Sequence, residues 1–129
     1  MPLRKTRILL IDDEADLCHF VKANLEMLGT YEVTVAGSGQ KGLEMAKASQ
    51  PDLILLDILM PGINGLEVLK RLKENPKTIR IPVLMLTAVT DQDSKELAAT
   101  LYDEDYLEKP IEVETLKSKI ESTLSKFGR

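Results

Sequence analysis

The chain has 129 residues, 43% of them apolar and 29% charged, with a formal net charge of −4. That length suits a single domain over residues 1–129 with a real hydrophobic core, and the balance excludes general disorder. The acidic surplus argues against direct nucleic-acid binding, which needs a basic footprint, and no apolar run approaches the roughly 18–20 residues that membrane insertion requires.

The opening stretch MPLRKTRILLIDDE is basic and then apolar, but too briefly apolar for a secretory signal. RILLI at 7–11 reads as a first, buried strand. Leu17, Phe20, Val21, Leu25 and Leu28 then keep a helical period, and Gly29 stops it. The single cysteine, Cys18, rules out an internal disulfide and fits a reducing cytoplasm. YEVTV at 31–35 alternates apolar and polar residues, as an edge strand does. Ser38, inside the turn GSG, caps a second helix carrying Leu43 and Ala46, which must end before Pro51.

DLILL at 52–56 is the greasiest run in the chain, and it stops at a carboxylate, Asp57. Pro61 and Gly62 make a turn, and Leu66, Leu69 and Leu72 mark a third helix ending near Asn75–Pro76. VLML at 83–86 is another buried strand, residues 91–101 form a weak fourth helix, and DYLE at 105–108 is short and polar enough for the second edge. Leu116, Ile120, Leu124 and Phe127 mark a fifth helix. Strands alternating with helices in this way predict an α/β fold: a doubly wound, five-stranded parallel sheet with helices on both faces.

In such a sheet, ligands bind beyond the carboxyl ends of the strands. The first run ends in Asp12–Asp13, the third in Asp57, the fourth in Thr87, and Lys109 closes the fifth. A lone Asp at a strand end is usually only loop, and Asp12–Asp13 alone could cap a helix. The conjunction of two acids, a third acid, a hydroxyl and a lysine on four separate runs is what points to chemistry. Three neighbouring carboxylates repel and raise one another's pKa, and a hard divalent cation relieves them, Mg²⁺ above all. Asp57 is then placed to receive a phosphoryl group as nucleophile, with Thr87 and Lys109 meeting the phosphoryl oxygens.

With these residues in view, the sequence resembles the receiver domain of bacterial response regulators over essentially its whole length. The matching pieces are ILLIDDE (8–14), DLILLDILMPGINGLEVLKRLK (52–73), VLMLTA (83–88) and DYLEKP (105–110). The resemblance implies the flavodoxin-like strand order 2-1-3-4-5 and phosphorylation of Asp57 by a sensor histidine kinase or a phosphotransfer protein. It implies Mg²⁺ held by Asp12, Asp13, Asp57 and the Leu59 backbone carbonyl, with Thr87 and Lys109 on the phosphoryl group. Tyr106 would be the aromatic switch that follows Thr87, and Lys109–Pro110 a cis peptide. The fourth helix, fifth strand and fifth helix would form the face offered to a downstream effector protein.

The sequence departs from the family where Tyr102 and Asp103 stand in place of its usual Gly-Ala, so the end of the fourth helix is expected to be irregular. Leu59 and Val89 flank the expected phosphoryl site, and neither can orient a water, which implies slow self-hydrolysis. His19 reads as a solvated surface residue, and Glu14 as a favourable charge at the start of the first helix. The implied function is a signalling phosphoacceptor with no metabolic activity, cytoplasmic, and stand-alone or of phosphorelay type. The alternatives are the N-terminal receiver of a multidomain regulator and, further off, an aspartate-nucleophile phosphohydrolase. The latter wants an acid two residues after its nucleophile, where this chain has Leu59.

Overall fold

The computed structural model describes residues 4–88 and 105–127. The expected fourth helix, Val89, Tyr102 and Asp103 lie outside the described residues. Five strands form one parallel sheet: β1 (Thr6–Ile11), β2 (Tyr31–Ala36), β3 (Leu53–Asp57), β4 (Val83–Ala88) and β5 (Asp105–Lys109), in the order β2-β1-β3-β4-β5. Four helices are described: α1 (Ala15–Met27), α2 (Gly39–Ser49), α3 (Gly65–Lys73) and α4 (Val113–Lys126), the last being the fifth helix of the sequence reading.

Strand side chains alternate between two cores because successive residues point to opposite faces. Ile8, Leu10, Leu53, Leu55, Leu84 and Leu86 pack with Val21 and Leu25 of α1 and Leu116, Ile120 and Leu124 of α4. Leu9, Ile11, Ile54, Leu56 and Met85 pack on the other face with Leu43 and Ala46 of α2 and Val68, Leu69 and Leu72 of α3. Every residue of β3 is buried, as a central strand covered on both faces requires.

The edges are where the sequence placed them. β2 alternates buried and exposed side chains, and α1 covers its outer backbone. Lys22 Nζ donates to the Val33 carbonyl at 2.6 Å, and the Val33 N–H donates to Glu26 Oε2 at 3.0 Å. Two expected helix ends hold: the Ser38 side chain accepts from Lys41 N, and Gly29 takes the left-handed conformation just past α1; the Asn64 side chain, accepting from Glu67 N, caps α3.

Three apolar residues assigned to helix stripes are not core. Phe20 is 40% exposed, Leu28 41% and Phe127 50%. The buried stripe of α1 is Cys18, Val21 and Leu25, and Phe20, next to Val21, points about a quarter-turn away from it. Leu28 and Phe127 are the C-cap residues of α1 and α4, past the last helical turn that the sheet covers.

Candidate functional site

Parallel strands bring all their carboxyl ends to one edge. The register places Asp57 beside Leu86 and Ala88 beside Lys109, while Asp12 follows Ile11, whose partner on β3 is Leu56. The strand order reverses direction between β1 and β3, so Asp12 and Asp57 rise side by side at the crevice where such sheets bind ligands. Asp12 and Asp57 are buried while Asp13 is exposed, and one carboxylate oxygen from each lies within 4.8 Å of the others.

Lys109 reaches this cluster from the end of β5. Its ammonium is 3.2 Å from Asp57 Oδ1, 3.2 Å from Asp12 Oδ2 and 2.7 Å from Glu14 Oε1. The contact with Asp12 Oδ2 is close but off the hydrogen-bonding direction, so that buried oxygen has no hydrogen-bond donor. Asp12 Oδ1, in contrast, accepts from the Glu14 backbone N–H at 2.9 Å, a local turn that starts α1.

The electrostatics are lopsided. Burial pushes the Asp57 carboxyl up to about 6, with the Asp12 charge adding to the shift and Lys109 opposing it. Burial also raises Asp12, against the Glu14 N–H and Lys109. The sequence reading made mutual repulsion the cause of such shifts, but desolvation is the larger one here. Burial would lower Lys109, yet its hydrogen bond to Glu14 and the charges of Asp12 and Asp57 outweigh that and raise it. The two sides of the Asp57–Lys109 pair thus point differently: the ammonium is stabilised by several acids, and the acids share one cation. The cluster is short of positive charge.

That shortage is the test of fit for a metal. A hard divalent cation wants oxygen ligands in close array, and a buried carboxylate oxygen without a donor is such a ligand. The residues present fit Mg²⁺.

The other expected residues are placed less directly. Thr87 is fully buried on β4, one residue past Leu86, the partner of Asp57. Tyr106 is half-buried on β5 against the α2–α3 core, and the Leu59 side chain is 59% exposed beyond β3. Lys109–Pro110 is cis. Two residues were missed by the sequence reading. Glu14 was assigned only to the helix start, though it forms the shortest contact to Lys109; the signal was a third acid directly after the pair. Gly65 was not singled out at all. Its N–H donates to the Ile58 carbonyl at 2.7 Å, and a Cβ there would lie 2.1 Å from the Asp57 carbonyl oxygen. Only glycine lets α3 start this close to the end of β3.

The profile of the response regulator receiver domain matches residues 8–121. The chain belongs to that family. This receiver domain is 41% identical over 123 residues to the DNA-binding dual master transcriptional regulator RpaA of Synechocystis sp., covering 95% of the chain and 51% of RpaA. It is 36% identical to the phosphate regulon transcriptional regulatory protein PhoB of Pseudomonas aeruginosa, covering 94% of the chain and 52% of PhoB. The chain therefore spans about half the length of these relatives. The structure of the chemotaxis protein CheY4 of Vibrio cholerae superposes with a TM-score of 0.84 at 28% identity, over 92% of this chain and 98% of that one.

Receiver domains are signalling domains of two-component systems that bind Mg²⁺ at an acidic pocket and interact with histidine kinases and effectors. The phosphohydrolase alternative is not favoured. The expectation of no nucleic-acid contact gains no support, because RpaA is itself a DNA-binding regulator. No helix among the described residues is long and apolar enough to cross a membrane.

Proposed function

We propose that this receiver domain takes a phosphoryl group onto Asp57 from the phosphohistidine of a sensor histidine kinase or a phosphotransfer protein. An Asp57 carboxylate oxygen attacks phosphorus, the P–N bond breaks, and the histidine leaves with its electron pair. The Lys109 ammonium and the Thr87 hydroxyl take up charge on the phosphoryl oxygens. Asp12, Asp13, Asp57 and the Leu59 carbonyl would hold Mg²⁺, which when bound supplies neutralising charge between carboxylates and phosphoryl group. The observation that carries this reading is the Lys109 ammonium 3.2 Å from a buried Asp57 whose neighbours are two further acids.

The output follows by population shift: the phosphoryl group favours one arrangement of Thr87 and Tyr106 over another. An open groove along β5 and α4, lined by Tyr106, Glu108, Pro110, Thr115 and Lys119, supports that side of the molecule as the effector-docking face. Such a donor and a free, buried Cys18 fit a cytoplasmic site of action. Incubation with Mg²⁺ and a small acyl phosphate or phosphoramidate, followed by intact mass, tests the reading. The expected result is a gain of one phosphoryl group that is absent in Asp57→Ala. A gain of the same size in Asp57→Ala, or none in the natural sequence, refutes it.

A further inference from the structure

Glu14 is the one acid of the cluster with no task in the reaction above. Its side chain is 60% exposed, yet its Oε1 lies 2.7 Å from the Lys109 ammonium, closer than Asp12 or Asp57 at 3.2 Å. A lysine has three protons to donate, and here the ammonium already faces three carboxylates. Two of these are otherwise engaged in the phosphorylated state. Asp57 gives up its carboxylate charge to the new oxygen–phosphorus bond, and Asp12 belongs to the metal-binding acids. Glu14 keeps its charge and its reach.

Resting on the assignment of Asp57 as acceptor, we propose that Glu14 is a positioning residue that competes with the phosphoryl group for Lys109. A phosphoryl group brings roughly two negative charges, against the single charge of an exposed, solvent-screened glutamate. The phosphoryl group therefore wins, and Glu14 sets how much of its binding energy goes into recapturing the ammonium. Among the described residues the competition needs no movement of the backbone, since the Glu14 N–H is held by Asp12 Oδ1 while its side chain, more than half exposed, meets Lys109 from the solvent side.

The probe is fluoroberyllate with Mg²⁺, a phosphoryl mimic whose affinity is read by titration calorimetry. A partly exposed ion pair is worth about 0.4–1 kcal/mol at the upper part of its usual range, so Glu14→Gln should tighten fluoroberyllate roughly two- to fivefold. Glu14→Asp keeps the charge but is one methylene too short for the contact, and it should tighten binding by a similar factor. Asp16→Asn, which removes another acid from the first turn of α1, should leave affinity unchanged. An effect in Glu14→Gln and Asp16→Asn but not in Glu14→Asp would reduce the role to general charge and overturn the proposal, as would weaker or unchanged binding in both Glu14 variants. Failure of the natural sequence to bind fluoroberyllate with Mg²⁺ would overturn the acceptor assignment itself.

Discussion

At neutral pH Asp57 holds a negative charge that its surroundings oppose. Its pKa in the folded chain is about 6, against 3.8 as the ordinary value, with burial as the main cause. The folded state therefore binds a proton more tightly than the unfolded one between those values, and stability falls as pH rises from about 4 to about 6. Above that window the cost is fully present, on the order of 3 kcal/mol. Asp57→Asn is expected to raise the urea midpoint of the metal-free protein at pH 7 and to flatten its rise on acidification to pH 5. A lower midpoint in Asp57→Asn would show that the carboxylate is adequately paired and that the electrostatic account is wrong. At this scale the sequence was legible for residue types and blind to reach. Asp57, Thr87 and Lys109 announced themselves as polar groups closing apolar runs. Glu14 did not, because its role depends on a lysine side chain arriving from a strand 95 residues later.

At the scale of elements, the site depends on how closely helices approach strand ends. Gly65 is the tightest point: a methyl group there would meet the Asp57 carbonyl oxygen at 2.1 Å and the Ile58 Cα at 2.6 Å, both backbone atoms with nowhere to yield. Gly65→Ala is expected to cost about 1–3 kcal/mol of stability and to weaken Mg²⁺ binding, read by thermal melting with and without the ion. An unchanged melting temperature and an unchanged metal-induced rise would contradict that role. The helix stripes show the same division between pattern and contact. Val21, Leu25, Leu69, Leu72, Leu116 and Ile120 are buried as their spacing predicts, because several turns of each helix face the sheet. Phe20 is apolar yet exposed, since a single residue of offset turns a side chain off the buried face, and Phe127 is exposed because it caps α4 beyond the last turn that the sheet covers. Cys18, and not Phe20, belongs to the buried stripe of α1.

Across the whole molecule, distant segments converge because every strand is parallel and every strand ends at the same edge. Alternation of apolar runs with amphipathic segments was enough to read the layers and the edge strands. The order β2-β1-β3-β4-β5 was not readable from the pattern, since alternation alone leaves several right-handed arrangements open; it came from the resemblance. That order is what sets Asp12 beside Asp57. The central claim is that Asp57, and not either neighbouring acid, receives the phosphoryl group. Borohydride reduction of the phosphorylated protein converts an acyl-phosphate aspartate to homoserine, and peptide mass spectrometry then locates it. The account predicts homoserine at position 57 alone, formed with Mg²⁺ and missing when the ion is chelated. Homoserine at position 12 or 13, or at 57 to the same extent without the metal, would contradict it.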